Sequence, residues 1–125
     1  MDVRECQTYR DLDVWRESKS AAVELYRATQ GFPKEEAYGL TSQIRRAATS
    51  IPANIAEGWA RKRSGDYLRF LHIAAGSLAE LETHIEIARD LGFLPPEGQD
   101  DLGKRLTAIG KMLYGLIRVV AARPQ

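Results

Sequence analysis

The sequence predicts an all-α fold, an antiparallel up-down-up-down four-helix bundle, and three observations predict it. Apolar residues recur at spacings of three and four in four separate segments. No segment shows the alternation of a half-buried strand. The segments are joined by short stretches built around Gly31-Phe32-Pro33, Arg61-Lys62-Arg63-Ser64-Gly65 and Pro95-Pro96, and short connections between long amphipathic helices favour antiparallel neighbours.

The first helix is expected from about Asp13 to Gln30, with Asp11 or Asp13 as its cap, because a side-chain carboxylate accepts from the free N–H groups of a first turn. Its apolar positions include Trp15, Ala22, Leu25 and Tyr26. The second runs from Glu35 or Leu40 to Arg61 on the stripe Leu40, Ile44, Ala47, Ile51, Ile55 and Gly58, with Ala48 and Trp59 on its flank. Pro52 lies inside it. Proline lacks an N–H and crowds the carbonyl four residues back, so a kink at Pro52 is expected, centred near Ala48. The alternative is a break, with Ser50 capping a new helix. The stripe keeps its phase across Pro52, which favours one bent helix.

Ser64 is the expected N-cap of the third helix, with Asp66 in its first turn. The seam Tyr67, Leu71, Ala74, Leu78, Leu81, Ile85 and Ala88 alternates four and three without a slip, the spacing of bundle and coiled-coil seams. Gly92 can supply a left-handed C′ residue. The fourth helix is expected from about Glu97 to Ala122, on Leu102, Leu106, Ile109, Leu113, Leu116 and Val120. It contains Gly103, Gly110 and Gly115. A glycine inside a helix costs about 1 kcal/mol relative to alanine, so close packing is expected along the flank that holds Gly103 and Gly110. A neighbouring helix of the same bundle is the first candidate, and another subunit the second. Residues 1–10 are expected to be a flexible lead and residues 11–125 a single domain.

Composition excludes several classes. At 125 residues, 44% hydrophobic and 28% charged, the chain suits one globular domain. The net charge of +1 supplies no global field towards nucleic acid or an anionic membrane. Its distribution is uneven: −2 over residues 1–39, +4 over 40–79, −6 over 80–101 and +5 over 102–125. Such patches can steer subunits together, hold a polyanion or simply form solvated faces. The single cysteine, Cys6, can form no internal disulfide and belongs to no zinc-ligand spacing. The N-terminus lacks the apolar stretch of a secretory signal, and no run of about 18 apolar residues marks a membrane span. A reducing, cytoplasmic setting is expected, with no membrane partner.

Catalytic chemistry finds no support in the sequence. A di-iron bundle needs Glu-x-x-His pairs on two helices. The two histidines, His72 and His84, have no glutamate three residues before them, and Glu80 with His84 reads as a contact along one helix face. No phosphate-binding loop, HExxH or nucleophile elbow occurs. The expectation is therefore no enzyme activity, no metal and no cofactor.

Two constellations point to binding. The first is a polar row on the second helix: Gln43, Ser50, Asn54, Glu57 and Arg61, at spacings of seven, four, three and four. Together with Arg45 and Arg46, the residues from Gln43 to Glu57 are the candidates for a subunit interface or a buried polar network, because amide and hydroxyl side chains beside a core suit specific hydrogen bonds across an interface. The second is basic: Arg61, Lys62, Arg63 and Arg69, with Arg45 and Arg46 behind them. Clustered cations can contact phosphates, and Trp59 and Tyr67, flanking the turn, can stack on bases. The bland reading is a solvated basic turn with Trp59 in the core. A homo-oligomer or another protein is the first expected partner, and RNA or DNA the alternative.

The run FPKEEAYGLTSQIRRAATSIPANIAEG, Phe32 to Gly58, together with DLDVW at Asp11 to Trp15 and FLHIAAGSLAELETHIEIARDLGFL at Phe70 to Leu94, resembles the four-helix-bundle family encoded in intervening sequences of bacterial 23S ribosomal RNA genes, often labelled S23 or intervening-sequence protein. Tyr38, Gly39, Leu40, Thr41, Gln43, Arg45, Arg46, Asn54, Glu57 and Gly58 match its signature positions. The resemblance implies a cytosolic bundle that assembles as a ring-like homopentamer, and brings no catalytic residues. It also implies similarity to the accessory variability determinant protein of diversity-generating retroelements, a basic pentamer that binds a reverse transcriptase and nucleic acid. The near-neutral charge of this chain departs from that relative.

Overall fold

The computed structural model describes residues 6–95 and 99–124. Four α-helices account for most of them: α1, Asp13–Thr29; α2, Leu40–Trp59; α3, Ser64–Asp90; and α4, Gln99–Ala121. No strand occurs among the described residues. The fold is an all-α four-helix bundle. Each helix packs on its neighbour in sequence, and α4 closes the bundle on α1. The seams expected for α3 and α4 are buried at every position, as is the α2 stripe from Ile44 to Gly58. The expected start of the fourth helix at Glu97, and Pro96, lie outside the described residues.

The cross-helix contacts fix the register. Ser50 of α2 meets Ser77 of α3, and Gly58 of α2 faces Phe70 and Tyr67. Position rises along α2 as it falls along α3. Leu78 of α3 approaches Gly110 of α4, while Arg123 beyond α4 reaches the Tyr67 ring. Arg105 of α4 pairs with Glu24 of α1 and lies 3.9 Å from Glu17.

Several local expectations are corrected. Neither Asp11 nor Asp13 caps α1; its N-cap is Leu12. Asp11 instead accepts from the Gln7 and Thr8 N–H groups and completes a capping box around a preceding 3-10 turn, Tyr9–Asp11. The Tyr9 ring lies edge-on to Trp15 and Trp59, at centroid distances of 5.1 and 6.1 Å. The Tyr9–Asp11 turn thereby packs on the bundle. The inward face of α1 is Val14, Ser18, Ala21 and Leu25. Ser18 can sit inside because its hydroxyl donates to the Trp15 carbonyl at 3.2 Å. Tyr26 is exposed.

A 3-10 turn, Lys34–Glu36, leads into α2, and the Glu36 carboxylate accepts from the Leu40 N–H at 3.1 Å. α2 then continues through Pro52 without interruption. Ser50 caps no new helix: its hydroxyl is bonded sideways to α3. The N-cap of α3 is Arg63 rather than Ser64, with no side-chain cap bond. The C-terminus of α3 is as expected. Gly92 has φ +76, its N–H donates to the Arg89 carbonyl and the Phe93 N–H to the Ala88 carbonyl, the paired bonds of a Schellman motif. Phe93 then packs against Phe32, with ring centroids 5.6 Å apart, over one end of the core.

The α4 glycines separate into distinct environments. A Cβ on Gly110 would lie 3.3 Å from Leu78 of the neighbouring α3, whereas Gly103 has no described atom within 4 Å of where a Cβ would stand. The tightest of the glycine positions is elsewhere, at Gly58, where a Cβ would lie 2.8 Å from that of Phe70.

Candidate functional site

The polar row of α2 is divided by the fold among three environments. The first faces α3. Asn54 donates its amide N–H groups to the Ser50 carbonyl and hydroxyl oxygens, at 2.8 and 2.9 Å, and Ser50 Oγ is 2.8 Å from Ser77 Oγ. This node closes one end of a polar cleft of about 570 Å³, whose walls include Ser42, Gln43, Arg46 and Glu80, with Tyr38 at its rim. Among the described residues, the Arg46 guanidinium has no hydrogen-bond or ion-pair partner. A guanidinium, a carboxylate, an amide and hydroxyls around one opening make a surface suited to polar recognition. The Ser50 hydroxyl has two hydrogen-bond partners, the Ser77 hydroxyl and the Asn54 amide N–H, and neither is a general base.

The second environment belongs to Arg45, which turns the other way, towards α1. Its Nε donates to Thr29 Oγ1 at 2.9 Å and its Nη2 to the Tyr26 carbonyl at 3.1 Å, while the guanidinium lies 4.6 Å from the centre of the Tyr26 ring. Thr29 is buried and its hydroxyl donates a hydrogen bond to the Leu25 carbonyl at 2.8 Å. Arg45 therefore ties α2 to α1 within one chain. The third environment is the exposed pair Glu57 and Arg61, 3.1 Å apart, which leads into the basic end.

At that end Arg61, Lys62, Arg63 and Arg69 are all exposed. The Arg61 and Arg69 guanidiniums stand 4.9 and 4.8 Å from the Phe70 ring centre, an arrangement that holds two cations against one aromatic ring. Arg123, which sequence reasoning did not associate with this cluster, joins it 6.0 Å from the Tyr67 ring centre. Tyr67 is only 4% exposed, and Trp59 is half-buried against Tyr9, so neither ring is presented for stacking on bases. Burial pushes the Tyr67 phenol up to about 12, with the Arg123 charge opposing the rise and Cys6 adding to it. On the acidic part of α3, burial followed by the nearby Glu86 raises the Glu82 carboxyl. His84 lies 3.6 Å from Glu80 along the same helix. No group of three or more metal-ligating side chains forms among the described residues, and no described helix is long and apolar enough to cross a membrane.

One surface escaped the sequence reading. Between α1 and α2 lies an apolar groove of about 500 Å³, formed by Trp15, Val23 and Tyr26 on one side and Pro52, Ala53 and Ala56 on the other. The signal was present in Ala53 and Ala56, small residues of α2 outside its core stripe, but only the packed pair of helices makes the groove.

The model of the family described as 23S rRNA-intervening sequence protein matches residues 10–115. The chain belongs to that family. A member of the S23 ribosomal protein family from Bacteroides thetaiotaomicron VPI-5482, a protein with unknown function solved at 1.70 Å, has a similar structure: TM-score 0.74 and 26% sequence identity, over 84% of this chain and 95% of the other. No curated protein matches the chain. The matched region of the intervening-sequence family runs from within the Tyr9–Asp11 turn into α4 and takes in the polar cleft, the apolar groove except Tyr9, and the basic end except Arg123.

Proposed function

We propose that this intervening-sequence family protein is a non-enzymatic, homo-oligomeric scaffold or adaptor of the cytoplasm. Its bundle is read as antiparallel up-down-up-down, which the opposed registers of successive helix pairs support, and α2 is taken to bend at Pro52. The observation that carries the oligomeric reading is the polar cleft on α2 and α3. Ser50, Asn54 and Ser77 hold it in shape through their mutual hydrogen bonds, while Gln43 and Arg46 remain exposed along it. A fixed but open set of donors and acceptors beside a core is suited to a second protein surface. Gln43, Arg46, Ser50 and Asn54 are the contact residues in this reading, with Glu57 at its margin and Arg45 holding α1 and α2 in place behind it. A ring-like homopentamer, as in the family resemblance, is the expected assembly. Light scattering at micromolar concentration should give a mass several times 14.0 kDa; a monomer would overturn the proposal.

A second reading is favoured by the convergence of Arg61, Lys62, Arg63, Arg69 and Arg123 at one end of the bundle. These cations suit a polyanion, RNA or DNA, held through its phosphates rather than its bases, in keeping with the proposed kinship to the accessory variability determinant protein. Binding of this kind weakens steeply as salt rises. Charge reversal at Arg61, Lys62 and Arg63 should abolish nucleic-acid affinity at low salt, and unchanged affinity would remove this reading.

A further inference from the structure

Tyr38 is 99% exposed, more than any other large hydrophobic side chain described. It is also held on a fixed corner. The Ala37 N–H donates to the Lys34 carbonyl, the Gly39 N–H to the Glu36 carbonyl and the Leu40 N–H to the Glu36 carboxylate. A phenol ring that projects from a braced turn with nothing to pack on is an anchor without its pocket, and tyrosine is among the residues most enriched at such anchors.

The groove between α1 and α2 has the complementary form. Ala22 and Pro52 are buried at its base, Ala53 and Ala56 line its α2 side, and Val23 and Tyr26 are 44% and 43% exposed along its edge. Its volume of about 500 Å³ leaves room for one aromatic side chain. Each aromatic ring of the groove carries a cation: Arg10 is 4.7 Å from the Tyr9 ring centre, Lys19 is 5.2 Å from Trp15 and Arg45 is 4.6 Å from Tyr26. An apolar floor under a cationic rim favours an apolar group flanked by carboxylates. Tyr38 follows Glu35 and Glu36 in the sequence.

We infer that Tyr38 of one copy of this chain seats in the α1–α2 groove of the next. The inference rests on the oligomeric reading above and adds an apolar anchor, Tyr38, beside the polar cleft residues already assigned to the contact. Tyr38 does not line the groove of its own chain. It stands beside the cleft that α2 shares with α3, the groove lies on the α1 side of α2, and Thr49, the α2 lining residue nearest Leu40 in sequence, is about 14 Å along the helix from it at 1.5 Å per residue. Because knob and groove are different patches, the contact is heterologous, and successive copies join head to tail until the rotation closes a ring.

Two variants test it. Tyr38→Ala keeps the groove and loses the knob; Ala53→Arg, at an exposed position of α2, keeps the knob and blocks the groove. Each should retain the wild-type helical circular dichroism and sediment as a monomer, with association weakened about 30-fold or more, as for the loss of a buried aromatic anchor. Mixed one to one, they should form a heterodimer and stop there, since a single intact knob and groove remain. Trp15 emission should shift to the blue when Tyr38→Ala receives the Ala53→Arg partner. If the wild type assembles and Tyr38→Ala assembles equally well, the inference fails while the oligomeric reading stands. Loss of assembly in Ala53→Arg alone assigns the groove to another segment of the partner copy and also overturns the inference. A monomeric wild type overturns both.

Discussion

Gly58→Ala is the substitution whose outcome the packing of this bundle decides most sharply. In an open helix interior, alanine in place of glycine stabilises by about 1 kcal/mol, because glycine loses more backbone freedom on folding. At position 58 the added Cβ would stand 2.8 Å from Phe70 Cβ, 3.0 Å from Tyr67 Cδ1 and 3.2 Å from the Tyr67 carbonyl oxygen. A Cβ and a carbonyl oxygen cannot rotate aside, so relief requires α2 and α3 to part. Overpacking of this kind costs about 1–3 kcal/mol, and its rigid partners place it towards the upper end. The net expectation is a loss of about 1–2 kcal/mol. Gly76→Ala is the internal control: it lies inside α3 with no atom within 4 Å of the new Cβ, and should gain up to about 1 kcal/mol. Urea unfolding followed by circular dichroism, at one protein concentration because association shifts apparent stability, should separate the two variants by about 2–3 kcal/mol. Equal midpoints for Gly58→Ala and Gly76→Ala would refute the close approach of α2 and α3.

Three further outcomes are expected. Tyr67→Phe removes a buried hydroxyl that has no hydrogen-bond partner among the described residues and should raise stability near neutral pH by about 1 kcal/mol, measured by urea titration. The folded Tyr67 phenol holds its proton from the ordinary 10.0 up to about 12, so the unfolded chain binds fewer protons in that window and stability falls as pH rises through it. The loss approaches about 2–3 kcal/mol; Tyr67→Phe should lack that component, and identical alkaline unfolding profiles would contradict the burial of the ring. Arg45→Lys cannot reproduce the two donations to Thr29 and Tyr26 and should cost about 1 kcal/mol, with a double-mutant cycle against Thr29→Val showing coupling of about 0.5–1 kcal/mol; additive losses would argue against the link. Leu113→Ala, at a fully buried seam position, should cost about 2–5 kcal/mol, whereas Leu91→Ala, 58% exposed, should change the melting free energy by less than about 0.5 kcal/mol.

The four helices and most of their inward faces were legible in the sequence because helical periodicity is a local property. Tyr67 to Ala88 and Leu102 to Val120 recur at three and four, and a helix that buries any of these positions must bury the rest. The Gly92 cap was legible for the same reason, since a left-handed residue ending a helix favours glycine from its own φ and ψ alone. The α1 face was read less well. Ser18 interrupts the apolar pattern yet is buried, and Tyr26 satisfies it yet is exposed, because a hydroxyl bonded to its own helix can enter a core and a ring can find a cation at the surface.

What the sequence determined by itself was thus the set of helices, their register-keeping seams and the polar row on α2. Tertiary structure decided the use of each polar side chain. It turned Arg45 inward to Thr29 and left Arg46 at the cleft, although the two are adjacent in the chain, because neighbours on a helix point about 100° apart and meet different partners. It also gathered Arg123 beside Tyr67 and placed Val23 opposite Ala53. These pairings join residues far apart in the chain, so their geometry exists only once the seams have brought the helices together.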